Sequence, residues 1–265
     1  MQLEFEKYEA TGNDFIVVRA ASPGAISPEQ AVALCDRHFG IGADGVLLIS
    51  PSGEGRARMT VLNADGSRPE MCGNGLRCAA LAVTGDERLG DEFVMMTDAG
   101  PRPCILERTG PGRALVTTEL GRAEAQGEIT HPLGGTRGDA TFVRVSMGNP
   151  HAIVFAPPLT ASELDAVGAS LSARIAGGSN VEIASVVGPQ VLDLAVWERG
   201  VGRTLACGTG AAATAAAAVA LGLVRADAPI EVRLPGGALE LRVAPDRTVT
   251  LTGPARRVFR GHLPS

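Results

Sequence analysis

"LACGTGAAATAAAAVALG", residues 205–222, decides how this chain is read. Alanine is the strongest helix former, so the run that follows Gly210 predicts a helix. Its small side chains let that helix be buried closely between sheets. The apolar stretch 211–224 is shorter than the ~18 residues a membrane span needs, so it reads as a buried helix of a soluble protein. Cys207 sits where this helix begins. A second stretch, "MCGNG" at 71–75, repeats the arrangement with Cys72. Laid on one another, the halves match Asn13 with Asn149, Asn63 with Glu198 and Cys72 with Cys207, each at an offset of about 135 residues, which is a duplication at domain scale.

Working outward, short strands alternate with a few helices. Strands are expected at "LEFEKYEA", "DFIVVRA", "GVLLIS", "ARMTVLNA", "EFVMMT", "PCILER" and "RALVTTE" in the first half, and at "TFVRVSM", "HAIVFA", "NVEIASVVG" and "VLDLAVWER" in the second. Ser27 with Gln30, and Pro28 at the first helical position, mark one helix start; Thr160 with Glu163 marks another. The polar, glycine-rich 121–139 breaks the periodicity and is expected to be a linker. The expected organisation is α/β (α+β), with a first lobe at 1–120 that also takes residues 255–265, and a second at 140–254.

Composition narrows the function classes. The chain has 265 residues, 45% hydrophobic and 20% charged, and a net charge of −5. That suits a soluble globular protein of one large or two ordinary domains. No basic cluster with interleaved aromatics appears, so nucleic acid is not an expected partner. The N-terminal "MQLEFEKYEATGNDF" alternates like a strand rather than a targeting sequence, and a cytoplasmic location is expected. Five cysteines without a CxxC pair, and four scattered histidines, argue against a disulfide framework or a metal site. A pyridoxal cofactor would need a lysine, and Lys7 alone is present, in a strand with no phosphate-binding context. "GIGADG" (40–45) follows a helix and precedes a strand, the reverse of a dinucleotide fingerprint, and reads as a turn.

The chemistry concentrates at the two Cys-Gly stretches. Unpaired backbone N–H groups at a helix start carry about half a positive charge, which favours an anion and lowers a thiol's pKa. Glycines beside each cysteine let a ligand carboxylate approach those amides. The plainer reading is that each cysteine packs as a small hydrophobe. Two motifs in matching register favour the chemical one. Two opposed thiols suit inversion of a stereocentre, one removing a weakly acidic α-proton and the other returning one from the opposite face. Asn13, Asn63, Asn149 and Asn180 lie beside strand ends and turns, and "WERG" places Glu198 next to Arg199. Each asparagine alone is an ordinary turn residue. Together with Arg199 and Glu198 they could hold a zwitterionic amino acid. His151 could hydrogen-bond and tune a cysteine, or be a loop histidine.

Through "GNDF", "GIGADG", "NADGSRPEMCGNGLR", "MGNPH", "GSNVE" and "WERGVGRTLACGTGA", the chain resembles the diaminopimelate epimerase family over nearly its whole length. The resemblance implies two pseudo-symmetric lobes, each a mixed sheet curled around a central helix, with the site in the cleft between them. It implies a cofactor-independent isomerase that interconverts LL- and meso-diaminopimelate, in lysine and peptidoglycan synthesis. Cys72 and Cys207 would then be the acid/base pair, and Gly73, Asn74, Gly208 and Thr209 the carboxylate cradle. Asn13, Asn63, Asn149, Asn180, Glu198 and Arg199 would be the other substrate contacts. His151 and Glu198 would adjust the thiol pKa values. A homodimer is implied, with Phe259 where an aromatic aids dimerisation in some members. The nearest alternative is a proline racemase or hydroxyproline epimerase, families that typically carry histidine where this chain has Asn74. A non-catalytic amino-acid-binding protein is the alternative of another class.

Overall fold

A computed structural model of the protein describes residues 3–53, 56–83, 90–135 and 137–264. The remaining residues, some inside the expected lobe and linker bounds, lie outside the described ones. The chain divides into two compact units, Met1–Thr118 with Thr252–Ser265, and Glu119–Leu251.

In the first unit, β1 (Leu3–Ala10) and β2 (Asn13–Arg19) form a hairpin, α1 (Pro28–Cys35) crosses to β3 (Gly45–Pro51), and β4 (Ala57–Asn63) returns antiparallel. Helix α2 (Gly73–Val83) then leads to β5 (Glu92–Thr97), parallel to β4, and on to β6 (Gly100–Gly110) and β7 (Arg113–Arg122). The terminal strand β16 (Thr248–Leu263) pairs with both β7 and β1, so the strand order returns to its start. Period-two alternation explains the layering, because successive strand side chains face opposite ways. Phe15, Val17, Leu47, Ile49, Met59 and Val61 pack with α2 in one core. Ile16, Val18, Val46, Leu48 and Leu62 pack with α1 in another. With a helix on each face, β2 and β3 read as nearly continuous apolar runs. All eleven residues of α2 are buried.

The second unit repeats this plan. Its strands are β8 (Glu124–Pro132), β9 (Asp139–Ser146), β10 (Pro150–Phe155), β11 (Asn180–Gly188), β12 (Val191–Glu198), β14 (Ile230–Leu234) and β15 (Gly237–Val243), with the short β13 (Gly202–Thr204) beside β12. Helix α3 (Ala161–Arg174) lies between β10 and β11 in sequence, as α1 does between β2 and β3; α4 (Gly208–Ala220) precedes β14 as α2 precedes β5. The β10–β11 and β12–β14 pairs are parallel, matching β2–β3 and β4–β5. Ala152, Val154, Val181 and Ile183 pack with α3, which turns His151, Ile153 and Glu182 to the opposite face. Gly168 lets α3 settle on β12: a Cβ there would fall 2.3 Å from the Trp197 ring.

Both helix starts read from sequence form as capping boxes, Ser27 with Gln30 and Thr160 with Glu163. The linker expected at 121–139 is a strand pairing instead, with β8 laid antiparallel on β9 through Thr130–Thr141 and His131–Ala140. Its polar residues are exposed on an edge strand, so they carry no apolar alternation to read. The boundary between units falls at Thr118/Glu119, inside β7, and the return falls at Thr252, inside β16. Lys7, the chain's single lysine, is buried against Asp14 at 2.5 Å and donates to the Gly42 carbonyl, which pins the GIGADG turn. No helix among the described residues is long and apolar enough to cross a membrane.

Candidate active site

In the first unit, the loop after β4 delivers Cys72 to the start of α2, where the Gly75 N–H points at its Sγ, 3.4 Å away. The sulfur therefore takes the place of a capping oxygen, accepting an amide that has no partner within the helix. Asn74, nearly fully buried, donates from Nδ2 to Asn13 Oδ1 at 3.2 Å, and Asn13 donates to Asp44 at 2.6 Å. Asp44 also receives the Asp14 N–H and the Arg37 guanidinium. Asp14 is held below the usual carboxylate range: burial raises it, but hydrogen bonds from Arg37 and Lys7 outweigh burial. Asn63, the last residue of β4, donates to Ser67 Oγ at 2.9 Å.

In the second unit, Cys207 is the N-cap of α4 and accepts the Gly210 N–H at 3.3 Å, with Thr209 Oγ1 3.5 Å from the sulfur. Asn149 donates to Thr209 Oγ1 at 3.3 Å, which turns its carbonyl oxygen to His151 Nε2 at 3.1 Å. His151 Nδ1 meets Glu182 Oε1 at 2.6 Å, both side chains fully buried. The short Nδ1 contact ties the imidazole to the carboxylate, while Nε2 is turned to the Asn149 side chain. Glu182 also presses on α4, where a Cβ on Gly210 would lie 2.7 Å from its Oε1. Burial pushes the Cys207 thiol well up, and the charges of Glu198 and Glu182 push the same way; the bonds from Thr209 and Gly210 offset part of this. Burial likewise raises Glu198, while hydrogen bonds from Thr204 and Cys207 act against it.

Asn180 accepts the Arg199 backbone N–H at 2.9 Å, and the Arg199 guanidinium donates to the Gly177 carbonyl. Within the second unit, Asn149, His151, Glu198 and Thr209 thus gather at Cys207; within the first, Asn13 and Asn74 gather at the start of α2. Gly73 and Gly208, each the first residue of its helix, are buried. The other thiols are inert by position, burial pushing Cys35 and Cys104 up to about 11 and Cys78 higher still. Among the described residues, no group of three or more His, Cys, Asp or Glu could hold a metal ion.

Two residues at these helix starts escape sequence reading. Glu182 sits in "NVEIASVV" and Arg77 in "CGNGLRCAALAV", each a lone charge in an apolar element. That incongruity is the available signal, because a charge inside a core needs a compensating partner.

The arrangement offers two thiols at helix starts, each with amides that favour an anion, in two units of one plan. The family model described as diaminopimelate epimerase matches residues 5–125 and 143–258. The diaminopimelate epimerase 1 of Nostoc sp. is 43% identical over 282 aligned positions, covering 99% of this chain and 100% of that relative. The diaminopimelate epimerase of Synechococcus elongatus is 42% identical, with 99% of each chain covered. Among solved structures, a probable proline racemase from Agrobacterium radiobacter superposes with a TM-score of 0.75 over 99% of this chain and 93% of that one, at 15% identity, a likeness of fold alone.

Proposed function

The chain belongs to the diaminopimelate epimerase family of isomerases, and we propose that it interconverts LL- and meso-2,6-diaminopimelate by two-base proton transfer between Cys72 and Cys207. The observation that carries this reading is the repeated thiol at a buried helix start, each sulfur accepting the N–H of the glycine three residues on. A thiolate takes the α-proton, breaking C–H and forming S–H, while the electron pair passes into the substrate carboxylate. The second thiol then gives its proton to the opposite face, breaking S–H and forming the new C–H. The amides of Gly73 and Asn74, and of Gly208 and Thr209, are the donors suited to the charge that builds on that carboxylate.

Asn13, Asn63, Asn149, Asn180, Glu198 and Arg199 are assigned to the rest of the amino acid. His151 and Glu198 are assigned to tuning Cys207, consistent with their hydrogen-bonded links to it. The chemistry uses only side chains and backbone amides of the chain. A homodimer with Phe259 near its contact, and a cytoplasmic place in lysine and peptidoglycan synthesis, complete the reading; Phe259 stands 46% exposed, edge-on to Phe5.

Incubation with LL-diaminopimelate in D2O tests it. The expected product is meso-diaminopimelate carrying one α-deuterium, and an absence of both exchange and isomerisation overturns the assignment. Proline run in parallel separates the racemase alternative: turnover of proline alone would replace diaminopimelate as the substrate.

A further inference from the structure

His151 and Glu182 stand where the first unit carries hydrocarbon. In the parallel pair β2–β3, Phe15 lies opposite Gly45 and Val17 opposite Leu47; in β10–β11, His151 lies opposite Asn180 and Ile153 opposite Glu182. Asn149 answers to Asn13 in the duplicated plan, so His151 takes the place of Phe15 and Glu182 that of Leu47. The helices agree. A Cβ on Gly75 of α2 would meet Leu47 Cδ2 at 3.0 Å, and one on Gly210 of α4 would meet Glu182 Oε1 at 2.7 Å. Phe15 and Leu47 are both buried in the core that α2 shares, so apolar residues fill this place in the fold. Packing therefore does not call for a carboxylate and an imidazole there. A buried ionisable pair costs desolvation that an apolar pair does not, and Glu182 has little to offset it. Its Oε1 meets His151 Nδ1 at 2.6 Å, while its Oε2, also buried, has no hydrogen-bond partner among the described residues.

We propose that Glu182 is a positioning residue for the Cys207 half of the site, acting through His151. Its side-chain hydrogen bond goes to that ring, and the ring leads on to the sulfur. His151 Nε2 lies 3.1 Å from Asn149 Oδ1, Asn149 donates to Thr209 Oγ1 at 3.3 Å, and Thr209 Oγ1 lies 3.5 Å from Cys207 Sγ. Glu182 anchors the ring from inside the core, the ring fixes which way the Asn149 amide faces, and Asn149 fixes Thr209 beside the sulfur. The same carboxylate oxygen abuts Gly210, whose N–H the sulfur accepts. One side chain thus braces both partners of Cys207. Phe15 and Leu47 can build no such chain in the first unit. The inference rests on the two-base reading for its meaning, since that reading makes the placement of Cys207 matter to turnover.

Turnover, melting and ring signals test this together. Glu182→Gln keeps the shape of the side chain and removes its charge; folded by its melting curve, it is expected to lower kcat for diaminopimelate epimerisation by about 10- to 100-fold, the scale of a displaced catalytic geometry. His151→Gln is expected to lose at least as much, and the double variant no more than His151→Gln alone, because residues acting as one unit are not additive. His151→Phe combined with Glu182→Leu rebuilds the apolar pair of the first unit. It is expected to melt at or above the parent and still to lose at least about 10-fold in kcat, and it carries the test should Glu182→Gln not fold. Nitrogen NMR of the histidine rings, with His151 assigned by the signals lost in His151→Gln, reads the tie without turnover; those signals are expected to move in Glu182→Gln. Parental kcat in a folded Glu182→Gln protein, losses that multiply in the double variant, or an apolar pair that melts well below the parent each overturns the proposal. So do unmoved ring signals. A parent that does not epimerise, with ring signals that do move, counts against the two-base reading and leaves the tie of Glu182 to His151 standing.

Discussion

The starts of α2 and α4 are built on one backbone plan and surrounded by different side chains. Each precedes a strand of matching place in its unit, begins at a glycine, and has its cysteine sulfur accepting the amide of Gly75 or Gly210. Helix dipole and capping are therefore alike at the two sulfurs and cannot make them differ. At the start of α2 the buried guanidinium of Arg77 bonds Asn74, two residues after Cys72; at the start of α4 the charges of Glu198 and Glu182 act on Cys207, and Glu182 is paired with the imidazole of His151. A duplicated scaffold thus supplies equivalent positions for two sulfurs, and unduplicated side chains give each start its own surroundings. A two-base reaction starts from one thiolate and one thiol, in either arrangement according to the direction of turnover.

The largest effect expected from breaking the comparison comes at the sulfurs themselves. Cys72→Ala and Cys207→Ala should each lower kcat/KM for epimerisation by about 10³-fold or more. Each variant keeps one base, so solvent deuterium should still enter one isomer without inversion, and the two variants should choose opposite isomers. Full epimerisation by either variant would end the two-base reading.

A smaller effect separates the matched glycines. A Cβ on Gly210 meets the buried Glu182 carboxylate at 2.7 Å, whereas one on Gly75 meets the end of Leu47 at 3.0 Å. Gly210→Ala should destabilise by about 1–3 kcal/mol as the Glu182–His151 contact is displaced. For Gly75→Ala the roughly 1 kcal/mol of gained helix propensity should offset much of the crowding. Urea unfolding midpoints of the two variants check the order, and equal losses would show that the His151–Glu182 pair does not constrain α4.

The finest distinction is in pH. Glu198 has its folded pKa raised by burial, so the folded state binds its proton more tightly than the unfolded chain. Its contribution is fully present below the unfolded glutamate value of about 4.3 and is lost as pH rises through the folded value. Glu198→Gln should therefore lose less stability than the parent between pH 4 and neutrality, measured as the change in urea midpoint. A steeper loss in the variant would contradict the burial argument.

Much of this architecture is legible in the residues. Alternation in "DFIVVRA" and "GVLLIS", capping at Ser27 and Thr160, and the Cys-Gly starts each depend on neighbours in the chain, and each formed as read. The strand at 124–132 was not legible, because an exposed edge strand needs no apolar pattern and its partner β9 defines it. Arg77 and Glu182 were visible only as anomalies: what a buried charge does depends on which group the fold brings beside it.

The sequence by itself determined the duplicated plan, the two helix starts with their cysteines, and the family. Periodicity, caps and motif spacing are local properties that survive in one dimension. Tertiary structure decided which buried charges stand at each helix start and what they bond. His151 and Glu182 come from neighbouring parallel strands, and Arg77 bonds Thr11 and Pro254 from distant parts of the chain. Electrostatic energy depends on distance and burial, and neither is written in residue order.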